Sequence, residues 1–200
     1  LLYIADKIIA NKPYLTDVDS KIGDGDHGIG MALGMEEAKK VLYGLKHDDN
    51  AYRLFEECGN AMLMSMGGAS GVIFGSMYLA GSKGKEAKGF LTAQDLADME
   101  EASLKSVIDI GHAGLGDKTM VDALWPAVDA MKCNADKGLF IMLKEAEKAA
   151  KEGMENTKKY IARFGRAKSL GSRAIGYQDA GATSVYLIIQ GMREFVEGDI

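Results

Sequence analysis

The chain has little cysteine, little proline and no cluster of positive charge. Cys58 and Cys133 are its two cysteines, and neither has a partner at metal-binding spacing. A disulfide framework is therefore not expected, and both read as reduced thiols of a cytoplasmic protein. Pro13 and Pro126 are the two prolines in 200 residues. Long stretches are thus free to be helical. The net charge is −5 and no basic stretch offsets it, so no nucleic-acid partner is expected. No apolar run approaches the ~18 residues of a membrane span, so no membrane partner is expected either. Asp6 and Lys7 interrupt the apolar opening Leu1-Leu2-Tyr3-Ile4-Ala5, which makes a poor signal peptide. The sequence has no initiator Met, and a short piece is expected ahead of Leu1.

What is present is ordinary for a globular domain: 47% apolar and 26% charged residues. The length suits a single domain over residues 1–200 with a core of real size. Ala, Met, Leu, Lys and Glu are abundant and alternating runs are few, so the fold class is all-α. The first helix carries Leu1, Ile4, Ala5 and Ile8 on one face, and Asn11-Lys12-Pro13 stops it. Residues 14–29 read as a loop rich in Asp and Gly. Further helices are predicted over about 30–45, 50–66, 70–79, 92–110, 118–131, 139–164 and 182–196, which makes eight. Asp48-Asp49-Asn50, Ser70 and Thr92 are the expected caps. The run Val72 to Leu79 is apolar on all sides, and a buried strand competes with a central helix there. Pro126 is placed to kink its helix. Loops at 22–30, 67–71, 111–119 and 165–181 follow every second helix. In an antiparallel up-and-down bundle they gather at one end.

The most informative stretch is Ile22-Gly23-Asp24-Gly25-Asp26-His27-Gly28-Ile29-Gly30-Met31, with Asp19 just upstream. Asp is a hard oxygen ligand, and three in one short loop repel one another unless a cation joins them. They read either as a solvated acidic turn or as a metal site. An EF-hand is excluded, because Gly28 and Met35 fall where ligands are required. Mg²⁺ suits the pattern, since it uses few carboxylates and leaves positions for phosphates. His27 is either a structural hydrogen-bonder or a donor to phosphate. Gly67-Gly68-Ala69-Ser70-Gly71 is either a tight turn or a set of N–H groups facing an anion at a helix start. Gly116-Asp117-Lys118-Thr119 is similar to the end of a P-loop, but Asp117 splits the Gly-Lys pair and no strand precedes it, so that motif is rejected. Lys118 reads as a solvated helix-start lysine or as a residue facing the site. Arg166 has the chemistry to grip phosphate or stack on a base. Asp179 reads as a helix cap. The methionines are core fillers, with Met120 also placed to line an adenine pocket.

These pieces resemble the nucleotide-binding L subunit of bacterial dihydroxyacetone kinase, found also as the C-terminal domain of single-chain dihydroxyacetone kinases. The resemblance rests on Leu15-Thr16 with Asp19, Ile22 to Gly28, Gly67 to Gly71 with Phe74-Gly75, Gly116 to Met120 with Asp122 and Trp125-Pro126, Gly165-Arg166-Ala167 with Leu170-Gly171 and Gly176, and Asp179 to Ser184. They occur in the family's order over almost the whole chain. The resemblance implies an eight-helix antiparallel barrel holding ADP or ATP at one end through two Mg²⁺ ions. It implies Asp19, Asp24 and Asp26 as metal ligands. It places nucleotide contacts at His27, Gly28, Ile29, Gly30, Ala69, Ser70, Gly111, Thr119, Met120, Arg166, Asp179, Ala180 and Gly181. It implies phosphoryl transfer to dihydroxyacetone, or a similar small ketose, held on a separate sugar-binding subunit. A phosphoryl-donor subunit of the phosphotransferase system is the implied recharging partner, and no residue of this chain is assigned as acid or base. A homodimer and a contact with a transcription regulator are further partners left open. Gly30 and Ala32 stand where asparagines are usual, Leu33 where arginine is, His112 where lysine is and Ala180 where proline is. Rival readings are a nucleotide-binding regulatory module and the ATP-binding domain of a related sugar or fatty acid kinase.

Overall fold

The structure is a computed structural model that describes residues 1–198. Among the described residues every regular element is helical. The α-helices are α1 (Leu2–Ala10), α2 (Lys12–Ser20), α3 (His27–Gly44), α4 (Ala51–Ser65), α5 (Gly68–Ser82), α6 (Ala93–Gly111), α7 (Val121–Asn134), α8 (Leu139–Asn156) and α9 (Ala180–Gly198). Short 3₁₀ turns cover Ala135–Lys137, Thr157–Lys159 and Arg166–Ala174.

The all-α expectation holds, with one helix more than the eight predicted. The extra one is α2. Asn11-Lys12-Pro13 does end α1, but Pro13 falls in the first turn of α2. Its missing N–H costs nothing there, and its fixed φ suits a helix start. The same residues therefore stop one helix and open the next. The long helix predicted over 139–164 ends at Asn156, and the chain continues through a 3₁₀ turn into irregular backbone.

Each of α3 to α8 packs on the helix that follows it, and α1 packs on both α9 and α3. The core they enclose is rich in methionine, with Met31, Met62, Met131 and Met142 fully buried. Unbranched, polarizable side chains fill the irregular space between many helices. The ambiguous apolar run 72–79 lies within α5, which buries Phe74, Met77 and Tyr78. Its approach to α4 is close, since a Cβ on Gly59 would lie 2.8 Å from the Gly75 carbonyl oxygen. Thr92 caps α6 as predicted, in a reciprocal box with Asp95. Pro126 sits inside α7. It has no N–H to offer the Asp122 carbonyl, one turn back. Gly153 of α8 lies against that carbonyl, so closely that a Cβ there would be 2.0 Å from the oxygen.

Candidate functional site

The acidic loop is built from the end of one helix and the start of the next. Asp19 occupies the last turn of α2, and its carbonyl accepts from the N–H groups of Ile22 (3.0 Å) and Gly23 (2.6 Å). Gly25 turns the chain with φ +78°, a conformation that favours glycine. Asp26 then leads into α3 at His27. As a result Asp19, Asp24 and Asp26 each offer an oxygen, and these atoms all lie within 4.8 Å of one another. Asp19 is half-buried and the other two are exposed. Arg166 brings a positive charge to them, its Nε 2.5 Å from Asp24 Oδ2. Burial, then the neighbouring Asp24 and Asp19, push the Asp26 carboxyl above its ordinary range. Three converging hard oxygen donors, with the one guanidinium paired to Asp24 alone, fit a divalent cation.

The start of α3 meets this cluster, and α9 and α5 reach that start through the His27 ring. The first N–H groups of any helix lack an internal partner, and the dipole there favours anions. α3 starts at His27 rather than at Gly30, so Gly28 and Ile29 lie in its first turn. The His27 N–H donates to Asp19 Oδ2 at 3.3 Å. Gly28 packs on α2, where a Cβ would lie 2.5 Å from the Lys12 carbonyl oxygen. The His27 ring is buried, with Nε2 2.8 Å from Ser184 Oγ in α9. Burial holds its pKa below the ordinary value, against the opposing pull of Asp19 and the Ala180 carbonyl. α9 starts at Ala180, ahead of the predicted Ala182. Asp179 Oδ2 accepts from the Ala182 N–H at 2.8 Å, and its own N–H donates to Thr157 Oγ1 at 2.9 Å. α5 starts at Gly68 with Gly67 as its cap, so Ala69 and Ser70 lie in the first turn and Ser70 is not the cap. Phe74 of α5 meets the His27 ring at 6.0 Å between centroids.

The third loop is held from inside. Lys118 is 1% exposed and takes a left-handed backbone, φ +61°. For a residue with a Cβ that conformation costs about 1–2 kcal/mol. Its Nζ donates to the Thr157 carbonyl at 2.6 Å and also to the Tyr177 carbonyl. Asp122 accepts from the N–H groups of Gly116 (2.6 Å) and Thr119 (2.8 Å). Burial lowers the Lys118 pKa and raises that of Asp122. Burial also pushes the Asp179 carboxyl up to about 7. Met120 is buried beside Gly181, where a Cβ would lie 3.3 Å from the Met120 Cβ.

The predicted site residues thus fall into three sets. Asp19, Asp24, Asp26, His27, Gly28, Arg166, Asp179, Ala180, Gly181, Thr119 and Met120 are linked by the contacts above. Ala69, Ser70 and Gly111 sit on α5 and α6, where a Cβ on Gly111 would lie 3.8 Å from Ile73 Cδ1. Ile29 is exposed on α3, and no atom lies within 4 Å of a Cβ built on Gly30. An open cleft of about 840 Å³ borders Asp24 and Arg166, lined also by Lys21, Lys168 and Ser169. Lys118 is buried, contrary to its reading as a solvated lysine. Nothing in the sequence marked Thr157 as a partner of this region. Ser184 closes the stretch Asp179 to Ser184, but only the fold puts it on His27.

Comparison with known proteins gives the family and the fold. The DAK2 domain pattern matches residues 21–194. The chain is 36% identical over 179 residues to the "PEP-dependent dihydroxyacetone kinase, ADP-binding subunit DhaL" of Escherichia coli (strain K12), covering 88% of this chain and 85% of that one. It is 34% identical over 195 residues to the "PTS-dependent dihydroxyacetone kinase, ADP-binding subunit DhaL" of Lactococcus lactis subsp. lactis (strain IL1403), covering 96% and 92%. A crystal structure of the dihydroxyacetone kinase from C. freundii in complex with AMP-PNP and Mg²⁺ superposes with a TM-score of 0.71 at 26% identity. That match covers 96% of this chain and 32% of the larger kinase. A domain pattern over residues 21–194, and 36% identity to a DhaL subunit over 88% of the chain, lead to one conclusion: this chain belongs to the DAK2 domain family.

Proposed function

We propose that the chain is the ADP-binding phosphotransferase subunit of a dihydroxyacetone-type kinase. It acts in the cytoplasm as a single domain over 1–200. It binds ADP or ATP with two Mg²⁺ ions on Asp19, Asp24 and Asp26. The N–H groups at the starts of α3 and α5, in the stretches Gly28–Gly30 and Ala69–Ser70, face the phosphates. Arg166 adds a positive charge, and Gly111, Thr119, Met120, Asp179, Ala180 and Gly181 frame the nucleoside end. A magnesium ion held there supplies charge neutralisation of the phosphates and alignment of the transferring group. Such a reaction needs positioning more than proton transfer, so no acid or base is assigned in this chain. The acceptor, dihydroxyacetone or a similar small ketose, belongs to a separate sugar-binding subunit. A phosphotransferase-system subunit fits as the donor, because the similar bacterial proteins carry PEP- or PTS-dependent names.

The observation that carries this reading is the convergence of the three carboxylates within 4.8 Å, at the start of α3, where the helix dipole favours an anion. Calorimetry tests it. ADP binds the wild-type protein in the presence of Mg²⁺, and Asp24→Ala abolishes that binding. Unaltered ADP affinity in Asp24→Ala overturns the metal assignment. Phosphoryl transfer on mixing with a sugar-binding subunit, a PTS donor and dihydroxyacetone tests the enzymatic role, and its absence with all components active sinks it.

A further inference from the structure

We propose that Lys118 is a positioning residue that fixes the nucleoside end of the site by joining two wall segments, 118–120 and 177–181, through one buried ammonium group. The inference rests on the proposed nucleotide site.

Lys118 is 1% exposed, and no P-loop surrounds it. Its ammonium does not point at the acidic loop. It donates to two main-chain carbonyls, Thr157 at 2.6 Å and Tyr177. These acceptors lie in separate segments far apart in sequence. The Thr157 carbonyl also accepts from the Tyr160 N–H at 3.2 Å within its 3₁₀ turn, whereas the Tyr177 carbonyl lies in irregular backbone, which offers it no helical partner. The same junction carries further cross-links. The Asp179 N–H donates to Thr157 Oγ1 at 2.9 Å, the Gly176 N–H to the Lys158 carbonyl at 2.7 Å, and the Arg163 N–H to the Asp117 carbonyl at 3.1 Å. Lys118 is thus the hub between 116–120, 157–163 and 176–181.

Its backbone supports the same role. The left-handed φ of +61° at a residue with a Cβ is kept only where the surroundings over-determine it. Here the side chain is anchored at its far end. Asp122 holds the loop from the other side, through Gly116 and Thr119. The geometry that results is a narrow wall: Met120 and Gly181 are nearly in van der Waals contact. Released from Lys118, the 176–181 segment keeps its covalent place but loses its fixed distance from Met120. A group that contacts both segments then binds less well. A group that touches only the acidic loop and the α3 and α5 starts does not.

This predicts a split between ligands. Lys118→Met keeps the chain length and apolar stem but removes the donor. Affinity for Mg²⁺-ADP falls at least tenfold in this variant, and affinity for Mg²⁺-pyrophosphate changes less than twofold. Both are measured by calorimetry at a temperature where circular dichroism shows the variant folded. Equal losses for the two ligands, or no loss for ADP, overturn the positioning role. If the wild-type protein binds no ADP, the nucleotide site itself fails, which is a separate result. Should Lys118→Met not fold, hydrogen exchange on the wild-type protein decides. ADP then slows exchange in 116–120 and 176–181 together, while pyrophosphate slows neither. Protection of only one segment by ADP overturns the proposal.

Discussion

Two sets of carboxylates mark this molecule, and they are treated in opposite ways. Asp19, Asp24 and Asp26 stand close together at the open end, with Arg166 as their nearby cation. Asp122 and Asp179 lie a short way inside and accept two and one backbone N–H groups, and in the outer set Asp19 accepts one. The outer set gains nothing from its own proximity, and like charges so placed oppose one another. The inner set is bound into the loops it supports. Acids placed to suit a ligand are left under-satisfied by the protein, whereas acids placed to suit the fold are satisfied by it. Glu100 fits neither set. It is buried in α6 near Tyr78, and burial alone pushes its carboxyl up to about 7.

The largest effect that tests this contrast is expected inside. Asp122→Ala leaves two N–H groups of a half-buried loop without their acceptor and removes a countercharge from Lys118. A loss of about 3–4 kcal/mol is expected in urea unfolding. A loss under about 1 kcal/mol would erase the distinction between the two sets.

Glu100 gives the next effect, and pH controls it. Its folded pKa lies above the unfolded value, so the folded state holds the proton longer as pH rises. Stability from this group is therefore full below about pH 4.5 and falls until pH reaches about 7. Glu100→Gln removes that slope. The variant gains on the wild-type protein by about 2–3 kcal/mol between pH 4.5 and pH 7.5. A difference that stays constant with pH would show that Glu100 is already ionised in the fold.

The outer set responds to cations rather than to burial. Millimolar Mg²⁺ without nucleotide is expected to raise stability by about 1 kcal/mol. Asp24→Asn abolishes the response and does not destabilise the metal-free protein. A destabilised metal-free Asp24→Asn would show that Asp24 serves the fold through Arg166.

The smallest effect concerns the helix start beside that set. Gly30 lies within α3 with open space around it. Alanine there restores helix propensity, so Gly30→Ala is expected to stabilise the free protein by up to about 1 kcal/mol in thermal unfolding. Any destabilisation would reveal a need for glycine at that point that the free protein's packing does not contain.

Much of this was legible in the residues. Thr92 and Asp95 carried their capping box openly, and helical spacing exposed most of the bundle. The acidic loop stood out because Asp and Gly alternate there, a pattern that suits neither a helix interior nor a strand. Other features were hidden for definite reasons. Pro13 looked like a stop because a proline after Asn ends a helix as readily as it begins one. The 139–164 stretch kept its apolar spacing past Asn156, and only the cross-links at Thr157 show why the helix ends. Lys118 read as a solvated lysine because its acceptors are main-chain carbonyls, which no side-chain pattern announces.

By itself, the sequence determined that the chain is helical, that it encloses an apolar core and that three acids fall close together in one short stretch. Periodicity and local charge are properties of neighbouring residues, and they survive without a fold. Only the tertiary structure decided that Arg166 faces Asp24, that His27 turns inward to Ser184 and that Lys118 joins two distant segments. Those pairings span long stretches of chain, and only the packing of whole helices brings such partners within hydrogen-bonding reach.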